Sequence, residues 1–423
     1  MSADGKDPAV MKVFGQSPGR GRVLFIVFGF LIQLCLGAVY AWSTFSGAVR
    51  EHYTLNNTEA LLPYIIFLLC FAILMPFGGR WIQKYGPRRI GIIGGTLVGI
   101  GWILSGFAPN LPVLCVTYGV IAGVGVGLCY GGPIAVVNRW FPDRKGLAVG
   151  LTVGGFGLSA AIVSPLGYSL ISSYGIMDAF KILGIAFLII TVILSLTMRF
   201  PASNWMPAGW SGPKTGGTAI ESFSPRQMVK TRGFIALFIC YVFGCTAGLM
   251  AIGIGKTVGT DVISIASGTA ATLVAVFAAF NFAGRPLFGW LTDRITPRFS
   301  GLISFVLIAV GSIGMLVARQ GDIALYIGSM SVMWMALGGW LAIAPTTTAS
   351  FFGPRENASN YGIVFLAYGI GAVIGNIVAG RAKDLFGSFD IAFWVTLILA
   401  IAGMAIALVM LKKPKEKPVS PDK

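Results

Sequence analysis

The chain has 423 residues, 56% of them apolar and only 11% charged, with 31 Lys and Arg against 15 Asp and Glu for a net charge of +16. Mean hydropathy is +0.82. A soluble domain keeps its surface wet with roughly 25% charged residues, so this composition excludes a water-soluble globule and points to an all-α polytopic membrane protein.

Twelve apolar stretches are predicted as spans, at 23–48, 61–82, 88–108, 111–137, 146–170, 178–198, 233–255, 266–292, 299–318, 322–349, 359–383 and 390–411. Each reaches or approaches the ~20 residues that cross a hydrocarbon core of about 30 Å. Residues 1–22 are polar and precede a full-length span, so no cleavable leader is expected. The first span carries Tyr40, and the loop after it holds His52, the only histidine, read as a solvated loop residue. The fourth carries Tyr130, eight residues before Asn138, and the fifth carries Phe156. Residues 199–232, rich in Pro, Gly, Ser and Thr, divide the spans six and six. Within them Ser224-Pro225 suits the cap and first turn of a short surface helix. Three domains are therefore expected: a six-helix bundle over 1–198, a linker over 199–232, and a second six-helix bundle over 233–423 with a short basic tail. Six cysteines all sit in apolar runs without CxxC or Cys/His spacing, which predicts buried inert thiols and no metal or cofactor.

Lys and Arg alternate with the crossings. Twenty-four fall in 1–22, 80–89, 139–145, 199–232, 294–298, at Arg355 and after 411; six (Arg50, Lys181, Lys256, Arg319, Arg381, Lys383) fall on the other side. By the positive-inside rule both termini are expected in the cytoplasm, with the chain in the plasma (inner) membrane. This pattern explains the net charge without nucleic acid; the partners expected are the bilayer and a small solute, with the chain monomeric.

The remaining cation, Arg285, lies within the eighth span. A central arginine costs roughly 2.5–3.5 kcal/mol on insertion scales, so it is a functional candidate by default. It stands eight residues, about 12 Å, from Asp293, and its side chain leans toward the helix N-terminus, into the membrane. Asp and Glu occur only in loops and at span ends. A guanidinium without a protein counter-ion suits a mobile carboxylate, which its planar fork binds bidentately. Asn281, one turn earlier, shares its face. Tyr361, Phe365 and Tyr368 recur at i, i+4 and i+7 along one face of the eleventh span, and Tyr368 lies at the depth of Arg285. Tyr40, Tyr130, Phe156 and, in the tenth span, Trp340 complete the candidate substrate-binding set. Packing against neighbouring helices is the alternative role for each aromatic ring. No Ser/His/Asp or Cys/His set is present for catalysis.

The halves repeat. Pro76…Gly79-Arg-Trp-Ile-Gln83-Lys84…Pro87-Arg88 matches Pro286…Gly289-Trp-Leu-Thr-Asp293-Arg294…Pro297-Arg298 at an offset of 210, and Phe141, Gly150 and Gly157 find Phe352, Gly362 and Gly369 at 211 to 212. Phe156 is the repeat partner of Tyr368. Parallel six-span repeats build two-bundle transporters with a midplane site. The segment Gly79…Gln83-Lys84-Tyr85-Gly86-Pro87-Arg88-Arg89 resembles the loop signature of the major facilitator superfamily, with Gln83 in place of its acid; the second copy keeps Asp293 but has Thr296 in place of glycine. Asn281…Arg285-Pro286…Gly289…Asp293 resembles the eighth-span motif of the oxalate/formate exchangers and monocarboxylate transporters.

This resemblance implies twelve helices in two pseudo-symmetric bundles, a cytoplasmic latch at the loop signature, and an Arg285 that holds a substrate carboxylate. The oxalate exchanger has a lysine in its eleventh span where Tyr368 stands, so a monoanion of the lactate or pyruvate class is expected over a dicarboxylate. The animal carriers have an aspartate at the position of Asn281 and a lysine in the first span where Tyr40-Ala-Trp-Ser43-Thr44 stands. Proton cotransport is expected, with the proton shared with the bound carboxylate. Exchange of oxalate- or formate-like anions, and a non-transporting sensor on the same scaffold, are the alternatives.

Overall fold

The computed structural model describes residues 12–202, 205–207, 222–353 and 356–414. Residues 203–204 and 208–221 of the expected linker, Arg355, the first eleven residues and the basic tail after 414 lie outside the described residues.

Among the described residues, ten helices are long and apolar enough to cross a membrane. They are α1 (Pro18–Tyr53), α2 (Asn57–Tyr85), α4 (Leu111–Trp140), Lys145–Thr197, α7 (Arg232–Asp261), α8 (Ser267–Ile295), α9 (Pro297–Val317), α10 (Ile323–Phe352), α11 (Asn357–Phe386) and α12 (Asp390–Met410). The 53-residue run turns at Gly175, whose φ of 82° and ψ of 168° suit glycine, so it makes two crossings, α5 (145–174) and α6 (176–197). Pro87–Ser105, 19 residues long, is α3 and completes twelve.

Several helices outrun their apolar cores by a turn or more because polar residues cap them. At the start of α2 the Asn56 side chain accepts from the Glu59 amide while Glu59 reaches back to the Asn56 amide. Asn110 and Thr231 cap α4 and α7 the same way, accepting from the Val113 and Phe234 amides. The expected surface helix is present at Pro225–Met228, capped by Ser224.

The outward faces are apolar. On α9, Ile303, Val306, Val310, Ile313 and Val317 are all exposed at helical spacing, while Ser300, Ser304, Gly311 and Ser312 turn inward. Small inward residues let helices approach closely, which drives packing where lipid is as apolar as leucine.

Two pairs of helices make the main crossings between the sequence halves, α2 along α11 and α5 along α8, with α1 meeting α7 more briefly. These pairs are related by the repeat, since the second-half equivalent of α2 is α8 and that of α5 is α11. On the face rich in Lys and Arg, called here the basic face, apolar contacts close the seam beyond the hydrogen bond from Arg285 to the Val153 carbonyl. Gly362 meets the Pro76 ring, and Gly154 meets the Phe282 ring. On the far face the closure is polar. The Asp384 carboxylate accepts from the Asn57 amide (2.8 Å) and Nδ2 (2.8 Å), and from the Thr58 amide (2.9 Å) and Oγ1 (2.5 Å), so the end of α11 caps the start of α2.

The loop signature has a mirrored backbone in its two copies. Gly86 sits at φ 89° and ψ 154°, and Thr296 at φ 106° and ψ 151°. Gln83, standing where the family has an acid, accepts a hydrogen bond from Arg139 at the end of α4.

Candidate substrate site

Three helices are interrupted where they carry a site residue. In α1, residues Gly37–Ala41 wind as a 3-10 helix containing Tyr40. In α4, the turn at Tyr130 joins the pieces Gly123–Cys129 and Gly131–Trp140 with helical φ of −51° and ψ of −44°, its hydrogen bonding interrupted ahead of Pro133. In α11, Phe365 separates Asn357–Val364 from Leu366–Phe386. Such mid-helix departures re-aim side chains and mark functional positions. Here all three aim rings toward the middle of the molecule.

Arg285 lies on α8 just before Pro286 and is 6% exposed. Its Nη1 donates to the Val153 carbonyl on α5 at 3.1 Å, and its Nη2 to Asn281 Oδ1 at 3.4 Å. The guanidinium carbon stands 5.9 Å from the Phe156 ring centre, and the Tyr130 phenol sits beside the guanidinium. Its Nε is buried without a partner. Among the described residues no carboxylate lies within ion-pair distance of it. Asn281 is fixed in turn, donating through Nδ2 to the Trp334 carbonyl on α10 at 2.9 Å. The amide oxygen therefore turns toward Arg285, and the arginine does not reach for the basic-face headgroups.

Aromatic side chains enclose this cation. Tyr40 and Tyr368 join hydroxyls at 3.0 Å across the two halves. Phe156 meets Tyr40 and Tyr130 edge-on at 5.0 and 5.4 Å between ring centres. Phe365 stacks on Tyr368 at 4.9 Å and meets Tyr361 at 5.7 Å, as the spacing along α11 predicts. Phe71 on α2 joins them, 5.2 Å from both Tyr130 and Phe365. Except for half-buried Tyr361, all of these rings are buried.

The structure thus brings together Arg285, Asn281, Tyr130, Phe156, Tyr40, Tyr368 and Phe365, with Tyr361 at their edge. Trp340 is placed one layer back. It stacks on Tyr241 at 6.1 Å and packs on Phe305 at 5.2 Å, and Tyr241 in turn meets Phe365. Trp340 is held there because Gly244 leaves room for its indole. Four neighbours escape a reading of the sequence: Phe71, Trp334, Gly157 and Gln33. Gln33 donates to the Tyr130 carbonyl at 2.9 Å, steadying the irregular turn of α4; an amide within an apolar run is the one signal that could have pointed to it.

Charge, donors and enclosing rings at the crossing of two helical repeats define a polytopic membrane carrier. A family model described as Major Facilitator Superfamily matches residues 25–255 and 233–423, and the chain belongs to that superfamily. Among curated proteins it is 28% identical over 398 residues to the oxalate:formate antiporter of Oxalobacter formigenes, covering 93% of each chain. It is 26% identical over 404 residues to monocarboxylate transporter 12 of Homo sapiens, covering 89% of this chain and 78% of that one. Among solved structures, a bacterial homologue of the human lysosomal transporter Spinster, inward-facing and unoccupied, superposes with a TM-score of 0.72. It is 17% identical and covers 95% of this chain and 99% of that one, a likeness of fold.

Proposed function

We propose that this transporter carries small monocarboxylates of the lactate and pyruvate class, linked to protons, by alternating access. The observation that carries the reading is the buried Arg285 guanidinium, which meets amide and carbonyl oxygens and, among the described residues, no carboxylate. Neutral oxygens satisfy its donors only in part, and a substrate carboxylate would supply the missing charge. Asn281, Tyr130 and the Tyr40–Tyr368 pair offer further hydrogen bonds, while Phe156, Phe365 and Tyr361 fit a short aliphatic tail; Trp340 supports them from behind. One embedded cation matches one negative charge, so a dicarboxylate would bring a second charge into an apolar chamber. With no acid beside Arg285 among the described residues, the coupled proton travels with the substrate carboxylate.

In this reading residues 1–198 and 233–423 rock as two units joined by 199–232, about a site at their crossing. The basic face is cytoplasmic, the protein sits in the inner membrane, and it works as a monomer. Substrate neutralises Arg285 and lowers the cost of closing the halves over it.

The test is uptake of radiolabelled lactate into proteoliposomes under an imposed pH gradient. Arg285→Ala and Arg285→Lys are expected to abolish uptake while leaving membrane insertion intact. Wild-type rates in Arg285→Ala would remove the assignment. The similarity to the oxalate:formate antiporter favours a second reading, exchange of oxalate- or formate-like anions. Strong inhibition of uptake by dicarboxylates, and flux that requires internal anion and ignores the pH gradient, would favour exchange.

A further inference from the structure

Along α1, Tyr40, Ser43, Ser46 and Arg50 recur at intervals of three or four residues and so share one face. At one end of this face Arg50 and Ser46 line a far-face pocket, with Gly253 and Thr257 of α7 opposite. At the other end Tyr40 belongs to the aromatic chamber around Arg285. Ser43 lies between, about one turn (~5 Å) from each.

Ser43 is 1% exposed and Trp334 fully buried, yet neither Ser43 Oγ nor Trp334 Nε1 has a hydrogen-bond partner. Buried donors are nearly always paired, so two orphans facing one spot need an explanation. They do face one spot. A Cβ added to Gly255 on α7 would find Ser43 Oγ and Trp334 Nε1 as its nearest neighbours, each at 4.0 Å. Most buried glycines in these helices are crowded instead by backbone or rings. The position is held open: Tyr326 donates to the Gly255 carbonyl at 2.7 Å, and the Trp334 carbonyl accepts from Asn281, the neighbour of Arg285.

We propose that Ser43, Gly255 and Trp334 form a second, weaker carboxylate station on the outer approach to Arg285. It rests on the monocarboxylate reading and deepens it. An indole N–H only donates, and a serine hydroxyl donates readily, so the pair suits an anion and not a cation. Both donors are neutral, so the hold is loose, and a site on a permeation route must bind well enough to be entered and weakly enough to be left. The donors come from opposite halves, α1 and α10. A carboxylate passing from the mouth at Arg50 exchanges water for these two donors, then for the Arg285 fork.

The experiment measures half-saturation of lactate transport in oriented proteoliposomes, with lactate presented at either face. Ser43→Ala, Trp334→Phe and Gly255→Ala are each expected to raise the outer-face value about fivefold and to leave the inner-face value within about twofold. The Gly255→Ala methyl meets nothing closer than 4.0 Å, so it fills the station without disturbing folding. An equal rise on both faces, or none on the outer face, overturns the station. Arg285→Ala runs alongside: transport by that variant would sink the monocarboxylate reading itself, whereas its silence beside three unchanged variants would remove the station alone.

Discussion

A methyl group added at Gly157 would stand 2.7 Å from Asn281 Oδ1 and 3.0 Å from Nε of Arg285. Both are atoms the candidate site depends on, and neither can retreat, because Asn281 is tied to Trp334 and Arg285 to Val153. Gly157→Ala is therefore expected to push the guanidinium out of register, raising half-saturation for lactate by roughly tenfold or more, the equivalent of about 1.4 kcal/mol. Expression and melting temperature should change far less, since alanine favours the helix. A purified variant with wild-type uptake would show that the arginine does not need its present position. Arg285 is legible in the sequence because it is the one charge in a span's interior away from its ends, and Asn281 follows it by helical spacing. Gly157 is visible only as a repeat partner of Gly369, which says nothing of what it touches. Phe71 and Trp334 give no signal at all: an aromatic ring in an apolar run looks the same whether it faces lipid, core or substrate.

Among the helices, the α8–α9 turn carries a strain that its repeat partner avoids. Thr296 adopts φ 106°, where L side chains are rarely found, in the same geometry Gly86 adopts freely. Holding a β-branched residue there costs on the order of 1–3 kcal/mol. Thr296→Gly is expected to recover at least about 1 kcal/mol, read as a higher melting temperature in detergent, and Gly86→Thr to lower it. A different element joint answers to pH. Asp143, in the α4–α5 turn, accepts from both Nη atoms of Arg22 at 2.6 and 2.8 Å, and these bonds hold its carboxyl below the usual carboxylate range. A depressed acid contributes stability above its unfolded value, near 3.9, and loses it as pH falls through the folded one. Asp143→Asn should therefore melt earlier than wild type at pH 7, with the gap closing below about pH 4. Helix number and order were readable from apolar length and alternating charge. The helix ends were not, since caps such as Asn56 with Glu59 extend helices through polar residues. Nor were the local departures at Tyr40 and Phe365, where no Pro or Gly-Pro signal in the sequence marks the break.

Across the whole molecule the two seams are closed by different chemistry. At the far seam Asp384 takes four hydrogen bonds from the first residues of α2, and Ser164 on α5 donates to the Ala271 carbonyl on α8. Asp384→Ala is expected to loosen that seam, increasing thiosulfonate labelling of a Ser46→Cys reporter in the far-face pocket by roughly threefold to tenfold. Unchanged labelling would mean that the seam is held elsewhere. On the basic face the family's acid is Gln83, which bonds to Arg139 of its own half and not across the seam, and the outermost contacts among the described residues are apolar, Gly362 on Pro76 and Gly154 on Phe282. Apolar contacts that become wet on separation weaken as temperature falls, whereas hydrogen bonds do not. The carrier therefore has a built-in thermal lean: cold slackens one door and leaves the other bolted, so a chilled population drifts toward opening on its basic face even with nothing to carry.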